Sequence, residues 1–356
     1  MGGFGKEPAV DFRQVMMPVP RTAVFQMDGY LVWCGTITRA DDGLYYLLFS
    51  RWPAEYGHYA WVTHSEVACA VSDSPLGPFR FLRVVLGGRG GDHWDATTVH
   101  NPTVIRADGK YYLYYMGTRG VSTFSGKPSM EDPNWWEYRN NQRVGVAVAD
   151  HPAGPWQRFD RPCLDVTPGS FDHLATNNPS VTRGPNGYFL MVYKAIADGP
   201  MPRGGGVVCG VAIARNPLGP FVKQPMPIMV NPEEGWSVED PFIWYQDDRF
   251  LALVKDFHGY YTKHGKHTVA LFSSADGVNW SVAEHPYAFG LSLMWADGER
   301  QGLLCLERPQ VLIEDGRPTV LSCAAVADTD TEKAHSFIVH IPLAWPTTMD
   351  ECGFVD

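Results

Sequence analysis

The sequence has few basic residues for its length and no basic cluster. Lys and Arg number 29 against 39 Asp and Glu in 356 residues, which gives a formal net charge of -10. Nucleic-acid binding depends mainly on the neutralisation of phosphates by Lys and Arg. The charge balance therefore argues against a nucleic-acid partner.

Cysteine motifs and long apolar runs are also lacking. The seven cysteines are scattered and form no CxxC pair, so neither a disulfide framework nor a zinc site is predicted, and most are expected to be buried. No apolar run approaches the roughly 18 residues of a membrane span. Met1 to Lys6 lack the apolar core of an export signal. We expect a soluble protein without membrane contact, cytoplasmic as given, or periplasmic or secreted if an export signal was removed.

Aromatic residues, glycine and proline are abundant. The aromatic share is 13%, with 36 Gly and 28 Pro, which favours an all-β, turn-rich protein. One order of parts recurs along the chain: an apolar strand, a turn of the Asp-Gly or Asn-Gly type, two further strands, and a turn such as Pro-Leu-Gly-Pro. This recurrence predicts a repeat architecture.

The strand openings of these repeats share a polar pair before a proline. They are His100-Asn101-Pro102, Asn177-Asn178-Pro179, Glu239-Asp240-Pro241 and Glu307-Arg308-Pro309, with prolines about 60 to 80 residues apart. Because proline cannot donate to a sheet ladder, each proline is predicted at the first position of a strand.

Strand-rich repeats of this size predict a single all-β domain, residues 1–356, folded as a five-bladed β-propeller. Its blades are expected to be four-stranded antiparallel sheets around a central channel. The approximate blades are 24–85, 95–165, 172–228, 236–288 and 300–345.

In a propeller the first strand of each blade lines the channel, so the polar strand openings are predicted to converge at one end of the axis. The converging residues are Asp95, His100, Asn101, Asp172, His173, Asn177, Asn178, Glu239, Asp240, Glu307 and Arg308. The ends of the second strands add Arg51, Arg119, Lys194, Lys255, Asp256 and His258.

Such a funnel suits glycoside hydrolysis, in which one carboxylic acid protonates the leaving oxygen and a second carboxylate activates water. Neighbouring carboxylates push each other's pKa values apart, which creates the two roles. Tryptophans would stack on the sugar rings. The candidates are Trp33, Trp52, Trp61, Trp94, Trp135, Trp136 and Trp236.

Structural interpretations stay open for some of these residues. Asp95 and Asp172 lie at equal distances before their prolines, so a repeated Asp also suits a structural contact within each blade. His258 suits an acid, a metal ligand or an interior histidine. Two insertions, 120–143 and 198–206, follow second strands and are expected to be functional.

Together these openings resemble the five-bladed β-propeller glycoside hydrolases of families 43, 32 and 117, over nearly the whole chain. Trp94-Asp95 followed by His100-Asn101-Pro102, then Glu239-Asp240-Pro241-Phe242, then Glu307-Arg308-Pro309-Gln310 is most similar to family 117. That family includes exo-acting enzymes that remove 3,6-anhydro-L-galactose from agar oligosaccharides with inversion.

By position, the resemblance implies Asp95 as the general base, Asp240 as the aspartate that orients and tunes the pair, and Glu307 as the general acid. Substrate contacts are then expected from nine further residues. They are Trp94, His100, Asn101, Arg119, Asn178, Lys194, Glu239, His258 and Arg308.

The family 43 pattern implies another assignment, with Glu239 as the acid and Asn178 in the place of its middle aspartate. Asparagine cannot tune the pair as a carboxylate does. The base would come from the first blade, where Asp28 is the nearest candidate and Trp33-Cys34 occupies the strand start. The sequence thus departs from the family 43 pattern at Asn178 and at the strand start of the first blade, and both differences favour the resemblance to family 117.

The expected function is an exo-acting, inverting α-glycosidase that removes a terminal sugar, such as 3,6-anhydro-L-galactose or a related L-sugar or galactoside, from an oligosaccharide. The alternatives are a family 43-like arabinofuranosidase or xylosidase and a non-catalytic carbohydrate-binding propeller. No cofactor is expected to be required, while the resemblance implies a structural divalent cation in the axial channel, faced by His100 and His258 through water. No helical N-terminal segment of the kind that family 117 uses for domain-swapped dimers is predicted. The sequence does not decide whether the chain forms a homodimer.

Overall fold

The structure, a computed structural model, describes residues 10–327 and 335–345. Cys352 and the segment from Met1 to Lys6 lie outside these residues. The six cysteines within them are all free, four buried and two partly buried. Among the described residues, no helix combines the length and the hydrophobicity that a membrane span needs.

The described strands form five four-stranded antiparallel blades and one small hairpin. The short first strand is β1 (Val24–Phe25), and four blades of consecutive strands follow it. These are β2 (Tyr30–Arg39), β3 (Tyr45–Pro53), β4 (Glu66–Ser72) and β5 (Arg80–Leu86); β6 (Thr98–Ala107), β7 (Lys110–Thr118), β8 (Gln142–Ala149) and β9 (Gln157–Arg158); β10 (Ala175–Arg183), β11 (Phe189–Ile196), β12 (Val207–Ala214) and β13 (Val222–Lys223); and β14 (Val238–Gln246), β15 (Arg249–Asp256), β16 (Thr268–Ser274) and β17 (Ser281–Phe289). The hairpin is β18 (Ser292–Met294) with β19 (Arg300–Gly302), and the last strands are β20 (Cys305–Glu314), β21 (Arg317–Val326) and β22 (Ser336–Pro342).

The predicted five-bladed, all-β propeller is confirmed. One blade boundary differs from the expectation, because the first blade was predicted to begin at residue 24. Strand β1 instead pairs with β22, with Val24 opposite Val339 and Phe25 opposite Ile338. The fifth blade therefore takes its outer strand from the N-terminal side of the chain, which links the first and last blades.

Within residues 10–327 and 335–345, three short helices accompany the sheets: α1 (Phe12–Val15), α2 (Trp61–His64) and α3 (Pro133–Asn140). Single 3-10 turns lie at Ala54–Tyr56, His58–Ala60 and Pro185–Gly187. Helix α3 lies in the first predicted insertion. Its start follows from local chemistry, since the Asp132 side chain accepts a hydrogen bond from the Asn134 amide at 2.9 Å and Pro133 occupies the first turn.

Each innermost strand contains a β-bulge at the same place. The register shifts fall after Trp33, His100, Asn177, Glu239 and Glu307. The next residues have positive φ, namely Cys34 (48°), Asn101 (51°), Asn178 (46°), Asp240 (58°) and Arg308 (55°).

The bulges explain where the prolines lie. The prediction that each proline begins a strand was wrong, because β6 begins at Thr98, four residues before Pro102. A bulge leaves one residue outside the hydrogen-bond ladder, so a residue without an N–H is tolerated there. The bulges place five side chains at the axis.

Candidate active site

The five bulge residues with positive φ form a ring of contacts across the channel, which Cys34 Sγ closes on the Pro102 carbonyl oxygen at 3.4 Å. Asn101 Nδ2 donates to Asn178 Oδ1 at 2.8 Å, and Asn178 Nδ2 donates to Asp240 Oδ1 at 2.6 Å. Arg308 Nη1 donates to the same Asp240 oxygen at 3.2 Å, and its Nε and Nη2 lie 3.3 and 3.2 Å from Cys34 Sγ. All five are buried. The ring forms the floor of a cavity.

Two glutamates from neighbouring blades lie beside this floor and share a lysine. Lys255 Nζ is 3.0 Å from Glu239 Oε1 and 2.6 Å from Glu307 Oε1, and Lys194 Nζ is 2.5 Å from Glu239 Oε2. One oxygen each of Glu239, Asp240 and Glu307 lies within 4.8 Å of the other two. Three carboxylates and two ammonium groups thus meet at the closed end of the cavity.

The surroundings separate the pKa values of the adjacent acids. Burial, followed by the charge of Glu239, raises the pKa of Asp240 to about 6 against the opposing charges of Arg308 and Lys255. Burial alone would also raise the pKa of Glu239, but Lys194 and Lys255 hold it well below its usual range. Near neutral pH Glu239 is therefore a carboxylate, and the neighbouring Asp240 is protonated in a fraction of the molecules.

Aromatic side chains form the walls of the cavity, which has a volume of about 360 Å³. Two segments supply much of this wall. One is the 3-10 turn His58–Ala60 with α2, which follow β3, and the other is α3, in the insertion after β7. Its tryptophans are Trp33, Trp52, Trp61, Trp135, Trp136 and Trp236. Such faces suit the apolar faces of a sugar ring.

His100 joins the floor to this wall. Its Nδ1 lies 2.6 Å from the Ser65 hydroxyl, and its ring stacks on Trp61 with a centroid distance of 5.0 Å. Burial first, and then the charge of Arg308, lowers the pKa of His100 well below its usual value. The imidazole is therefore neutral, and it serves as a polar, uncharged wall.

A second cavity, of about 420 Å³, opens at the other end of the channel. Residues of the later halves of the inner strands line it, mainly aliphatic and aromatic side chains such as Ile105, Val181, Trp244 and Leu312. The larger volume does not make it the better candidate, because the carboxylates and their cations converge at the other end.

Neither a protein-family model nor a curated protein sequence matches the chain. Solved structures, in contrast, do match the chain. A family 117 glycoside hydrolase from the marine bacterium Zobellia galactanivorans is 19% identical with a TM-score of 0.63, over 92% of this chain and 89% of that one. An endo-arabinase from Bacteroides thetaiotaomicron is 15% identical with a TM-score of 0.57, over 94% and 98%. An alpha-L-arabinofuranosidase from Lactobacillus brevis is 14% identical with a TM-score of 0.59, over 95% of each chain.

The fold is that of the propeller glycoside hydrolases. The predicted resemblance to families 117 and 43 is thus confirmed at the level of architecture. Sequence identities this low carry no residue roles, so those must come from the geometry of this chain.

The structure brings most of the predicted site residues together and separates others from them. His100, Asn101, Asn178, Lys194, Glu239, Asp240, Glu307 and Arg308 line the cavity or its floor. Trp94, Asp95, Arg119 and His258 are outside its lining.

Asp95 is fully buried inside its own blade. It pairs with Arg89 at 2.6 Å and with Arg158 at 3.3 Å, and it accepts a hydrogen bond from the Tyr115 hydroxyl at 3.0 Å. Its counterpart Asp172 is arranged in the same way. A role as general base does not fit this position, because a base must reach a water molecule at the substrate. The structural interpretation of the repeated aspartate fits instead.

Three expected substrate contacts also lie elsewhere. Trp94 stacks on Tyr115 with a centroid distance of 5.7 Å, so it packs inside the blade. Arg119 is exposed and pairs with Asp92 at 2.8 Å. His258 follows β15 and lies beside Phe257, with ring centroids 6.4 Å apart. Substrate binding by these three residues does not fit their positions.

A divalent cation at the axis does not fit the donor set. The Arg308 guanidinium occupies the floor, and the Lys255 ammonium bridges two of the three carboxylates that such an ion would use. A 2+ ion beside these cations would be repelled.

Other residues of the cavity were missed, or were named only as strand ends. Lys255 is directly opposite Glu239 across the β14–β15 hairpin, and counting residues back from the Asp247-Asp248 turn, with one residue allowed for the bulge, would have found this pair. His58, Arg139, Gln142 and His267 also line the cavity. No repeat counterpart marks them in the sequence.

Proposed function

We propose that the chain is a glycosidase that removes a terminal sugar from an oligosaccharide. The observation that carries this proposal is the carboxylate cluster of Glu239, Asp240 and Glu307 at the closed end of an aromatic-walled cavity. Exo action is supported by the enclosure of the cluster, since the aromatic walls and the ring below it form a pocket that suits the end of a sugar chain. The α linkage and the class of sugar are carried over from the sequence resemblance.

The surroundings of each acid support a division of roles. Asp240 is the general acid, because a pKa of about 6 keeps part of it protonated near neutral pH. Glu307 acts as a carboxylate, because Lys255 contacts it at 2.6 Å and stabilises its charge. Glu307 was expected to be the acid, and this ion pair favours the opposite role.

Glu239 holds the two lysines in place. Because both lysines favour its ionised form, Glu239 is a poor proton donor. This observation weighs against the family 43-like alternative, in which Glu239 is the acid of an arabinofuranosidase or xylosidase.

The spacing of the carboxylates bears on the stereochemistry. An inverting pair needs roughly 6.5–9.5 Å to admit a water molecule, and a retaining pair about 5–5.5 Å. One oxygen from each carboxylate of the cluster lies within 4.8 Å of the other two, which is closer to the spacing of a retaining pair, so we infer retention through Glu307 in place of the expected inversion. Inversion would require a base outside the cluster.

The experiment is a screen of the purified chain against α-linked anhydro-sugar, galactoside, arabinoside, rhamnoside and uronide oligosaccharides, with NMR of the first anomer released. The proposal expects single sugars from the chain end, initially in the retained configuration. Release of internal fragments would contradict exo action. An inverted first product would remove Glu307 as the nucleophile.

A carbohydrate-binding propeller without catalysis is the second candidate, favoured by the ion pairs that Lys194 and Lys255 form with the glutamates. Saturable sugar binding to the unaltered chain, with no turnover of any glycoside in the screen, would decide for it.

A further inference from the structure

Four cations line the cavity, and one of them has no carboxylate partner. Lys194, Lys255 and Arg308 each pair with a carboxylate of the cluster. Arg139, on α3, forms no ion pair within the described part of the chain, although only 4% of it is exposed. Burial lowers its pKa to about 10, which leaves it charged near neutral pH. A buried, unpaired cation is costly unless a ligand supplies the anion.

The Arg139 guanidinium is held with one nitrogen unused. Its Nη1 donates to Asn140 Oδ1 at 2.9 Å and to the Arg203 carbonyl at 3.1 Å. Its central carbon lies 5.6 Å from the Trp136 ring centroid and 5.3 Å from that of Trp236. Nη2 is buried and has no acceptor among the described residues. The group is therefore fixed in place before any ligand binds.

Gln142 provides a second unused donor in the same cavity lining. It is 2% exposed, and its Oε1 accepts a hydrogen bond from Asn177 Nδ2 at 2.5 Å. This contact directs Oε1 away from further partners, and Nε2 finds no acceptor among the described residues. A buried donor without an acceptor is destabilising, because the group has lost its water and gained no partner. Two such donors in one lining require an explanation.

We propose that the terminal sugar bound in this cavity carries a carboxylate, as a hexuronate does, and that Arg139 and Gln142 bind that group. This proposal rests on the proposed function, because it concerns the substrate of the same site. One carboxylate balances the one unpaired cation, and its oxygens are acceptors of the kind that the two unused donors lack. A sulfate ester is the competing anion that the test includes.

The test is isothermal titration of the full-length chain with free sugars, which measures binding without turnover. The ligands are D-glucuronate, D-galacturonate, D-glucose, D-galactose and D-galactose 6-sulfate. We expect a uronate to bind at least about tenfold more tightly than its neutral counterpart, since charge-assisted hydrogen bonds contribute about 1.5–3 kcal/mol.

The variants isolate the two donors. Arg139→Gln removes the charge, and Gln142→Met removes the Nε2 donor without adding a charge. Each should lower the ratio of uronate to neutral affinity at least about tenfold. Arg119→Gln, at the exposed arginine outside the cavity, is the matched control and should keep the ratio. Melting temperatures establish that each variant is folded, and Gln142→Met supplies a second test if Arg139→Gln loosens α3.

Equal affinities for uronates and neutral sugars would overturn the proposal. So would tightest binding of galactose 6-sulfate, or an unchanged ratio in both variants. Selective uronate binding without hydrolysis of any glycoside would support this proposal and remove the proposed catalysis. Hydrolysis of neutral glycosides without a preference for uronates would do the reverse.

Discussion

Two sets of carboxylates in this molecule precede prolines of the inner strands and differ in their surroundings, since one set is fully buried and the other is partly open to a cavity. Asp95 and Asp172 recur at the same spacing in consecutive blades, and each accepts a hydrogen bond from a tyrosine of its own blade, Tyr115 at 3.0 Å and Tyr193 at 3.1 Å. Each also pairs with a cation on the outer strand of that blade, Arg158 for Asp95 and Lys223 for Asp172. The cluster of Glu239, Asp240 and Glu307 is drawn from two blades and faces a cavity.

Repeated and unrepeated acids have different roles in this propeller. An acid that recurs with its partners in successive blades completes each blade, because every blade has the same internal contacts to satisfy. An acid that appears where other blades carry Cys34 or Asn101 departs from the repeat. We therefore infer that the residues that carry the chemistry are those that differ from blade to blade at equivalent axial positions.

The largest expected effect is on catalysis by Glu307→Gln. The amide keeps the size of the side chain and removes the charge, so kcat should fall by about 10²–10⁴. Initial rates on the glycoside identified by the screen measure this. Glu66→Gln, a partly exposed acid of the first blade that pairs with Arg51, is the control. Equal rates for Glu307→Gln and the unaltered chain would exclude Glu307 from the reaction.

The next effect concerns stability and tests the other member of the comparison. Asp95→Asn should lower the free energy of unfolding by about 3–5 kcal/mol, because it leaves Arg89 and Arg158 without their buried carboxylate. Chemical denaturation measures the loss. A variant as stable as the unaltered chain would contradict the structural role.

A smaller effect is expected on the pH profile. If Asp240 is the acid, kcat should decline as the pH rises above about 6. The positive charge of Lys255 lowers the pKa of Asp240, so Lys255→Met should raise it and move the decline upward by about one pH unit or more. Lys194→Met, at a lysine that contacts Glu239 and not Glu307, should move it less. A downward shift in Lys255→Met would contradict the assigned role of Asp240.

The smallest effect is expected at an exposed ion pair in the blade of Asp95. Asp150 is paired with Lys110 at 2.6 Å, but 86% of its side chain is exposed. Asp150→Asn should change the free energy of unfolding by less than about 1 kcal/mol, since solvent screens the pair. A loss as large as that of Asp95→Asn would show that burial does not explain why the two aspartates should contribute differently to stability.

The repeat made the architecture predictable, because the strand openings and turns fix the number of blades. The closing strand was misplaced, since Val24–Phe25 is only two residues long and its partner lies more than 300 residues away. The axial positions of Asp240, Glu307 and Arg308 were found because the openings align.

Asp95 was assigned wrongly to the site because spacing before a proline does not show which way a side chain points. Asp95 and His100 differ by five positions in the sequence, yet one lies inside the blade and the other lines the cavity. Arg139 and Gln142 were missed because both lie within the 120–143 insertion, which has no repeat counterpart. Their contacts depend on how α3 packs on the propeller.

The central claim is that the cavity acids carry the chemistry while the repeated aspartates hold the blades together. Its most direct test is a side-by-side measurement of kcat per folded molecule for Asp240→Asn and Asp95→Asn. We predict that Asp240→Asn loses at least about 100-fold, whereas Asp95→Asn keeps a rate within about threefold of the unaltered chain. A large loss in Asp95→Asn with normal turnover by Asp240→Asn would contradict the account.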